Sequence, residues 1–370
     1  NVLDVCGNLL DNSARQSKVT RAVYLTMIWH QHQPNYYDPT GDQMMSPWVR
    51  KHSTKDYYDM ASMLENYPNV HVAINLTPGL LFQLELYIER LGPFIDHETN
   101  TIDVEGFLAR WKGKTDPWID LLLEETPNGS AALTEAQRNL FYKGGWCTVS
   151  TSPRIMKYFP EYETLRDANR SLYSQEQLLG LKVFFELAWF DPDFLRGRVQ
   201  FPHDPAIPDE YNYVDLRDVL RQEPDGRFYL KVPLSEALAR RLVVENYKIM
   251  RAVLPIHRKL RYSPTTQRGQ IELLTTPYYH PILPLIYDTD LAAQQMDMVH
   301  GADRLPDQRF QFPEDASDHV ARSVRYYERL FGEKPRGMWP GEGSVAEEVI
   351  PAFVANGIDY IATGQDVLWK

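Results

Sequence analysis

Three short apolar runs constrain the fold of this chain more than any other feature: Ala22–Trp29 (AVYLTMIW), Val70–Leu76 (VHVAINL) and Gln270–Thr275 (QIELLT). None alternates strictly between apolar and polar residues. Near-continuous apolar runs of strand length belong to strands covered on both faces, as in parallel sheets. The first two are each followed by a helical pattern, Lys55–Tyr67 and the Leu- and Glu-rich stretch after Pro78-Gly79. A β-α-β-α order predicts a parallel α/β sheet or barrel.

The rhythm breaks and then returns. From about Leu91 to Arg221 come long amphipathic stretches such as Ala131–Tyr142 and Ser174–Trp189, separated by Pro-rich loops, and a long helix is expected over Ser235–Leu260. We read residues 91–260 as a mainly helical insertion, since barrels accept insertions in their βα loops. The β-α pattern resumes with Gln270–Thr275, a helix at Ser317–Leu330, a short strand at Gly337–Trp339, a helix at Ala346–Asn356 and a last strand at Asp359–Thr363. Residues 1–20 are polar after a brief apolar start and are expected to be a linker or the end of a preceding domain. The chain begins at Asn1 and stops just after an apparent strand, so both ends are expected to be cut from a longer protein.

Composition narrows the partners. A formal charge of −11 with no basic stripe argues against nucleic acid, and no apolar run reaches the ~20 residues that span a bilayer. Only Cys6 and Cys147 are present, too few for a disulfide framework or a Cys-based zinc site. The 22 Tyr and 8 Trp are an excess that suits flat, partly apolar ligands such as sugar rings, and suits a large aromatic core as well.

Chemistry-bearing residues gather where strands are expected to end. In RGMWPGEGSVAEEV, Glu342 stands between two glycines after the turn Trp339-Pro340-Gly341. Ser344 and Glu347 have the spacing of a capping box that starts the next helix, and Glu348 is then a first-turn acid. Glu342 is left outside that scheme, on the kind of loop where α/β folds carry functional groups. In WHQHQP, His30 and His32 share one strand face, as a metal pair or two hydrogen-bonding groups require. No third metal ligand stands out. Glu272 sits inside an apolar run, where a carboxylate needs a partner, and His280 follows in TPYYHP. Trp189-Phe-Asp191-Pro-Asp193 offers a ligand contact or ordinary turn chemistry. No nucleophilic-serine elbow, P-loop or dinucleotide fingerprint occurs.

These segments resemble glycoside hydrolase family 57, most closely its amylopullulanase and α-amylase-like members. WHQHQP, GQIELLTTPYYHPILPL and GMWPGEGSVAEEVIPAF resemble that family's first three conserved regions, in order. The resemblance implies a retaining enzyme acting on α-glucans through an incomplete (β/α)7, TIM-like barrel. Residues 21–370 are then the N-terminal part of the catalytic barrel, with the helical insertion and without its C-terminal part. It implies Glu342 as nucleophile and His30, His32, Glu272, His280 and Trp339 as substrate-binding positions. No metal or other cofactor is implied, and further domains of the same chain are expected. The family's acid/base Asp lies in a fourth region that this sequence does not reach, and Asp366 does not match it. A 4-α-glucanotransferase or branching enzyme, a zinc α-mannosidase-like hydrolase built on His30 and His32, and a non-catalytic glucan binder are the alternatives. A polymeric substrate favours an extracellular location.

Overall fold

Parallel pairing joins strands that lie far apart in the chain. In the computed structural model, which describes residues 25–292 and 308–365, β1 (Ile28–Gln31) pairs with β2 (Val72–Leu76), and β2 pairs with β3 (Ile271–Leu274). Further along, β4 (Gly337–Met338) pairs with β5 (Tyr360–Ile361). A parallel bridge between Thr275 and Met338 joins the two sets, with the Trp339 N–H donating to the Thr275 carbonyl at 2.8 Å. The order is therefore β1-β2-β3-β4-β5, all parallel, with every carboxyl end on one rim. This is a mixed α/β architecture, and the described residues do not close a barrel. The expected linker at residues 1–20, the first part of the Ala22–Trp29 run and Asp366 lie outside the described residues.

The strands form where the apolar runs are densest. All five residues of β2 are buried, Asn75 included. Gly337 lies between side chains of its two neighbouring strands: a Cβ there would meet the Leu274 Cδ2 and the Tyr360 ring at 2.3 Å. The first strand differs from expectation. Among the described residues it starts only at Ile28, and Leu25 is 80% exposed, while His30 is a strand residue as expected. Among the described residues β1 has a partner on one side only, so it is an edge strand, and its residues are less buried than those of the central β2.

Helices pack the outer side of the sheet and fill the long interval between β2 and β3. A helical stretch of mixed α, π and 3-10 turns runs from Trp48 to Asn66, starting earlier than expected. α1 (Pro78–Leu91) follows β2, with Pro in its first turn, where a missing N–H costs nothing. α2 (Gln175–Leu187) begins with a complete capping box between Ser174 and Gln177, and Ser235 caps α3 (Glu236–Leu260). α4 (Pro313–Phe331) and α5 (Ile350–Ala355) flank β4. No helix among the described residues is long and apolar enough to cross a membrane.

The capping box expected at Ser344–Glu347 is absent. Ser344 is extended, a 3-10 turn covers Glu347–Val349, and α5 starts at Ile350 with Pro351 in its first turn. Proline lacks the N–H that a helix interior needs and fits a first turn, so its position sets where this helix can start.

One apolar core runs from the helical region into the sheet: Leu242, Val243, Ile249 and Phe184 belong to the same cluster as Ile74, Leu76, Ile271 and Leu273. A second cluster of Leu283, Val320, Met338 and Phe353 lies under α4 and α5. Within the larger core Arg50 is fully buried. It makes a two-pronged contact with Asp116 (2.9 and 3.1 Å) and a third bond to Glu186 at 2.5 Å. Lys51 Nζ reaches Glu186 at 2.6 Å, and the Tyr87 hydroxyl donates to Asp116 at 2.8 Å. These partners come from separate helices, so the buried charges fix how those helices meet.

Candidate active site

The carboxyl ends of three strands bring five of the six expected residues into one cluster. His30 is on β1, and His32 follows directly after it on the same face. His280 arrives on the loop after β3. Its ring stacks on His32 at 4.0 Å between centroids and lies 5.2 Å from His30. Trp339, just past β4, places its ring 5.5 Å from His30. Glu342, on the next turn, completes the group with its Oε1 3.7 Å from His280 Nδ1.

The turn carrying Glu342 is constrained on every side. Glu342 has φ +55° and His280 has φ +77°, both in the left-handed region that side chains usually avoid. Such conformations persist where the surroundings impose them, and they concentrate at functional sites. Gly341 makes this possible, because a Cβ there would lie 2.3 Å from the Pro281 carbonyl oxygen. The bare glycine lets the Glu342 turn press against the His280 loop. Gly343, at φ +68°, completes the turn, and the Glu342 side chain remains 69% exposed at its tip.

The imidazoles are held uncharged. Burial pushes the His32 pKa down to about 4, helped by the neighbouring His280, while the Glu342 carboxylate pulls the other way. His30 and His280 are lowered for the same reasons, burial first and a second histidine next. Near neutral pH Glu342 therefore faces neutral rings, each able to donate one N–H and accept one hydrogen bond.

Glu272 stands apart. In the sheet register it is level with Ala73 and Ile28, two residues below the level of Asn75 and His30. Its carboxylate accepts from the Tyr360 hydroxyl at 3.3 Å, and burial raises its pKa while Arg336 opposes the rise. Its partner is thus a tyrosine of β5 and none of the histidines. The Asp191 segment is placed elsewhere too, with Asp59 and Asp193, where burial and the adjoining acids push Asp59 up to about 7.

Several supporting residues escaped sequence reasoning. Asn75 Nδ2 lies 2.7 Å from His30 Nδ1 and 2.9 Å from the Thr276 hydroxyl, and both residues are fully buried. The Tyr57 hydroxyl accepts from Gln33 Nε2 at 2.7 Å and donates to the His32 carbonyl at 3.3 Å. A lone amide inside the apolar run VAINL was the available signal for Asn75. Nothing local marks Tyr57. The His-x-His pair also gains the third ring that was not evident from spacing: ligand atoms of His30, His32 and His280 lie within 4.8 Å of one another.

Set beside known proteins, residues 26–367 match the family model described as Glycosyl hydrolase family 57. The chain belongs to this family. No curated protein matches it individually. Among solved structures it is similar to the novel alpha-amylase AmyC from Thermotoga maritima, at 14% identity and a TM-score of 0.37, over 93% of this chain and 40% of that one. It is also similar to the GH57 branching enzyme TK1436 from Thermococcus kodakaraensis, at 15% identity and a TM-score of 0.36, over 91% and 39% of the two chains. A GH57-type branching enzyme from Pyrococcus horikoshii is similar at 13% identity and a TM-score of 0.34, over 91% and 41%. This family 57 chain thus spans about two fifths of the length of each of those structures.

Proposed function

We propose that this chain supplies the nucleophile side of a retaining α-glucan hydrolase of the amylopullulanase or α-amylase type, cleaving α-1,4 and, in the amylopullulanase case, α-1,6 glucosidic bonds. The observation that carries this is the placement of Glu342. An exposed carboxylate is fixed in a left-handed turn at the strand ends, against three uncharged imidazoles and a tryptophan. In this reading the five sequential strands are part of an incomplete (β/α)7 barrel. Residues 91–260 are its helical insertion, and the remaining barrel and any further domains belong to the rest of the protein.

The mechanism follows from the residues. Glu342 attacks the anomeric carbon and forms a covalent glycosyl-enzyme, which water then hydrolyses. A second carboxylic acid protonates the leaving oxygen and later activates the water, as retention requires. Neutral His30, His32 and His280 offer N–H donors to sugar hydroxyls without placing a competing positive charge beside the nucleophile. Trp339 presents a flat apolar face to the ring. Glu272, bonded to Tyr360 below this level, acts as a more remote substrate contact.

The test is reducing-sugar release from soluble starch and pullulan by the full-length gene product, wild type beside Glu342→Gln. Loss of at least ~1000-fold in kcat supports a nucleophile, given the size of such effects when a reacting group is removed. Activity that survives the substitution refutes the assignment. Redistribution of glucan chain length with little new reducing sugar identifies a glucanotransferase or branching enzyme on the same site.

A further inference from the structure

We propose that His30, His32 and His280 together bind a divalent transition-metal ion of the zinc class, with Glu342 or water completing its shell. The ion takes the place of the sugar ring, so the metal inhibits the site. The competition with sugar rests on the reading of Glu342 given above. The binding of the ion does not.

The donor set decides the class of ion. Three ring nitrogens with a single carboxylate favour zinc, copper or nickel over magnesium or calcium, which take oxygen ligands. Three protein ligands plus one open position is a recurrent zinc arrangement. In a tetrahedral zinc site with bonds of ~2.0–2.1 Å, neighbouring nitrogens lie about 3.4 Å apart. Here the ligand atoms are already within 4.8 Å, on rings anchored by two different strands. Each ring binds an ion in its own plane, so coordination opens the 4.0 Å stack of His32 on His280. Side-chain rotation is the main movement required.

Two further observations point to a missing ligand. The His280 side chain is only 5% exposed, yet its Nε2 is buried with no hydrogen-bond partner among the described residues. Leaving such an atom unpaired is costly, and a metal bond removes the cost. His30, in contrast, has the outer support that metal-binding histidines usually show. Its Nδ1 is bonded to Asn75, and the two atoms of that amide lie 2.9 and 3.3 Å from the Thr276 hydroxyl. When the amide turns so that its oxygen accepts from Nδ1–H, Nε2 carries the lone pair that an ion can take. The Thr276 hydroxyl can pair with either end of the amide, so the turn leaves nothing unsatisfied.

The experiment is a titration of chelator-treated protein with zinc chloride, followed by calorimetry, and with cobalt(II), followed by visible absorption. Wild type is compared with His32→Gln, His280→Gln and Asp191→Asn, each checked for folding by circular dichroism. The expected result is one zinc per chain, with affinity at least tenfold weaker in either histidine variant and unchanged in Asp191→Asn. Unchanged affinity in both folded histidine variants overturns the proposal. So does loss of binding in Asp191→Asn, which would place the ion at the Asp59, Asp191 and Asp193 group. Maltotetraose is expected to weaken zinc binding. Zinc bound at the histidines with no effect of the sugar overturns the competition, whereas starch hydrolysis surviving Glu342→Gln removes only the assigned nucleophile.

Discussion

The Thr363 hydroxyl donates to the Gly343 carbonyl at 2.5 Å, so the segment following β5 holds the turn that carries Glu342. A side-chain bond of this kind is worth about 1 kcal/mol. Thr363→Val keeps the shape and removes the donor. In the full-length protein kcat is expected to fall roughly 3–10-fold, with KM nearly unchanged and the melting temperature within ~2 °C of wild type. A kcat equal to wild type would show that the turn does not need this tie.

Gly341 gives a harsher test of the same turn. A methyl group at this position meets the Pro281 carbonyl oxygen, a backbone atom next to His280 that cannot swing aside as a flexible side chain can. Gly341→Ala is expected to separate the Glu342 turn from the histidine loop. A misplaced reacting group of this kind costs ~100-fold in kcat/KM, and we expect that loss with far-UV circular dichroism unchanged. Wild-type turnover would mean that the two loops adapt independently.

The buried charges around Arg50 make a prediction about stability alone. Arg50→Met leaves Asp116 without its two-pronged partner and Glu186 with Lys51 as its remaining buried cation. Removing one member of a buried ion pair costs about 3–5 kcal/mol, which corresponds to a drop of ~4–6 °C in a chain of this size. Differential scanning calorimetry measures it directly. A change of less than ~2 °C would show that the cluster contributes little net stability.

Asp59 predicts a pH dependence. Burial, reinforced by Asp191, Asp193 and Asp56, raises its pKa in the folded chain to about 7, against ~3.9 when unfolded. Between those values the native state holds a proton that the unfolded state has lost, so stability falls as pH rises through this window. Asp59→Asn has no such dependence. Because the side chain is partly exposed and screened by solvent, the expected gain is modest. The variant melts at nearly the same temperature as wild type at pH 4, and a few degrees higher at pH 8. Parallel curves across this range would rule out the coupling.

Legibility of the fold varied with how local each signal was. β2, β3 and α3 were readable because a near-continuous apolar run or a Ser cap with helical periodicity needs no distant partner. The edges of β1 were misplaced because its extent is set by pairing with Val72–Leu76, which no local pattern encodes. The capping box at Ser344 failed for a similar reason: the spacing was right, but Pro351 determined where α5 could begin. In the candidate site, Glu342 was legible from its two flanking glycines, whose left-handed turn and close approach the structure shows. His280 was named as a candidate through the resemblance, but its stacking on His32 was not legible, since the two meet through the β1-β2-β3 pairing. Asn75 and Tyr57 act on His30 and His32 through contacts that sequence distance conceals.

That pairing also sets an order of assembly. The Val72 N–H bonds the Gln270 carbonyl at 2.9 Å across the entire helical region that separates them in the chain. Closing so long a loop is slow unless the intervening segment has already collapsed. The β1–β2 pair is therefore available early in synthesis, while docking of β3 is favoured once the helices between have collapsed. His30 and His32 are synthesised well before His280 and Glu342, so the cluster of rings and carboxylate can close only when the later strands dock.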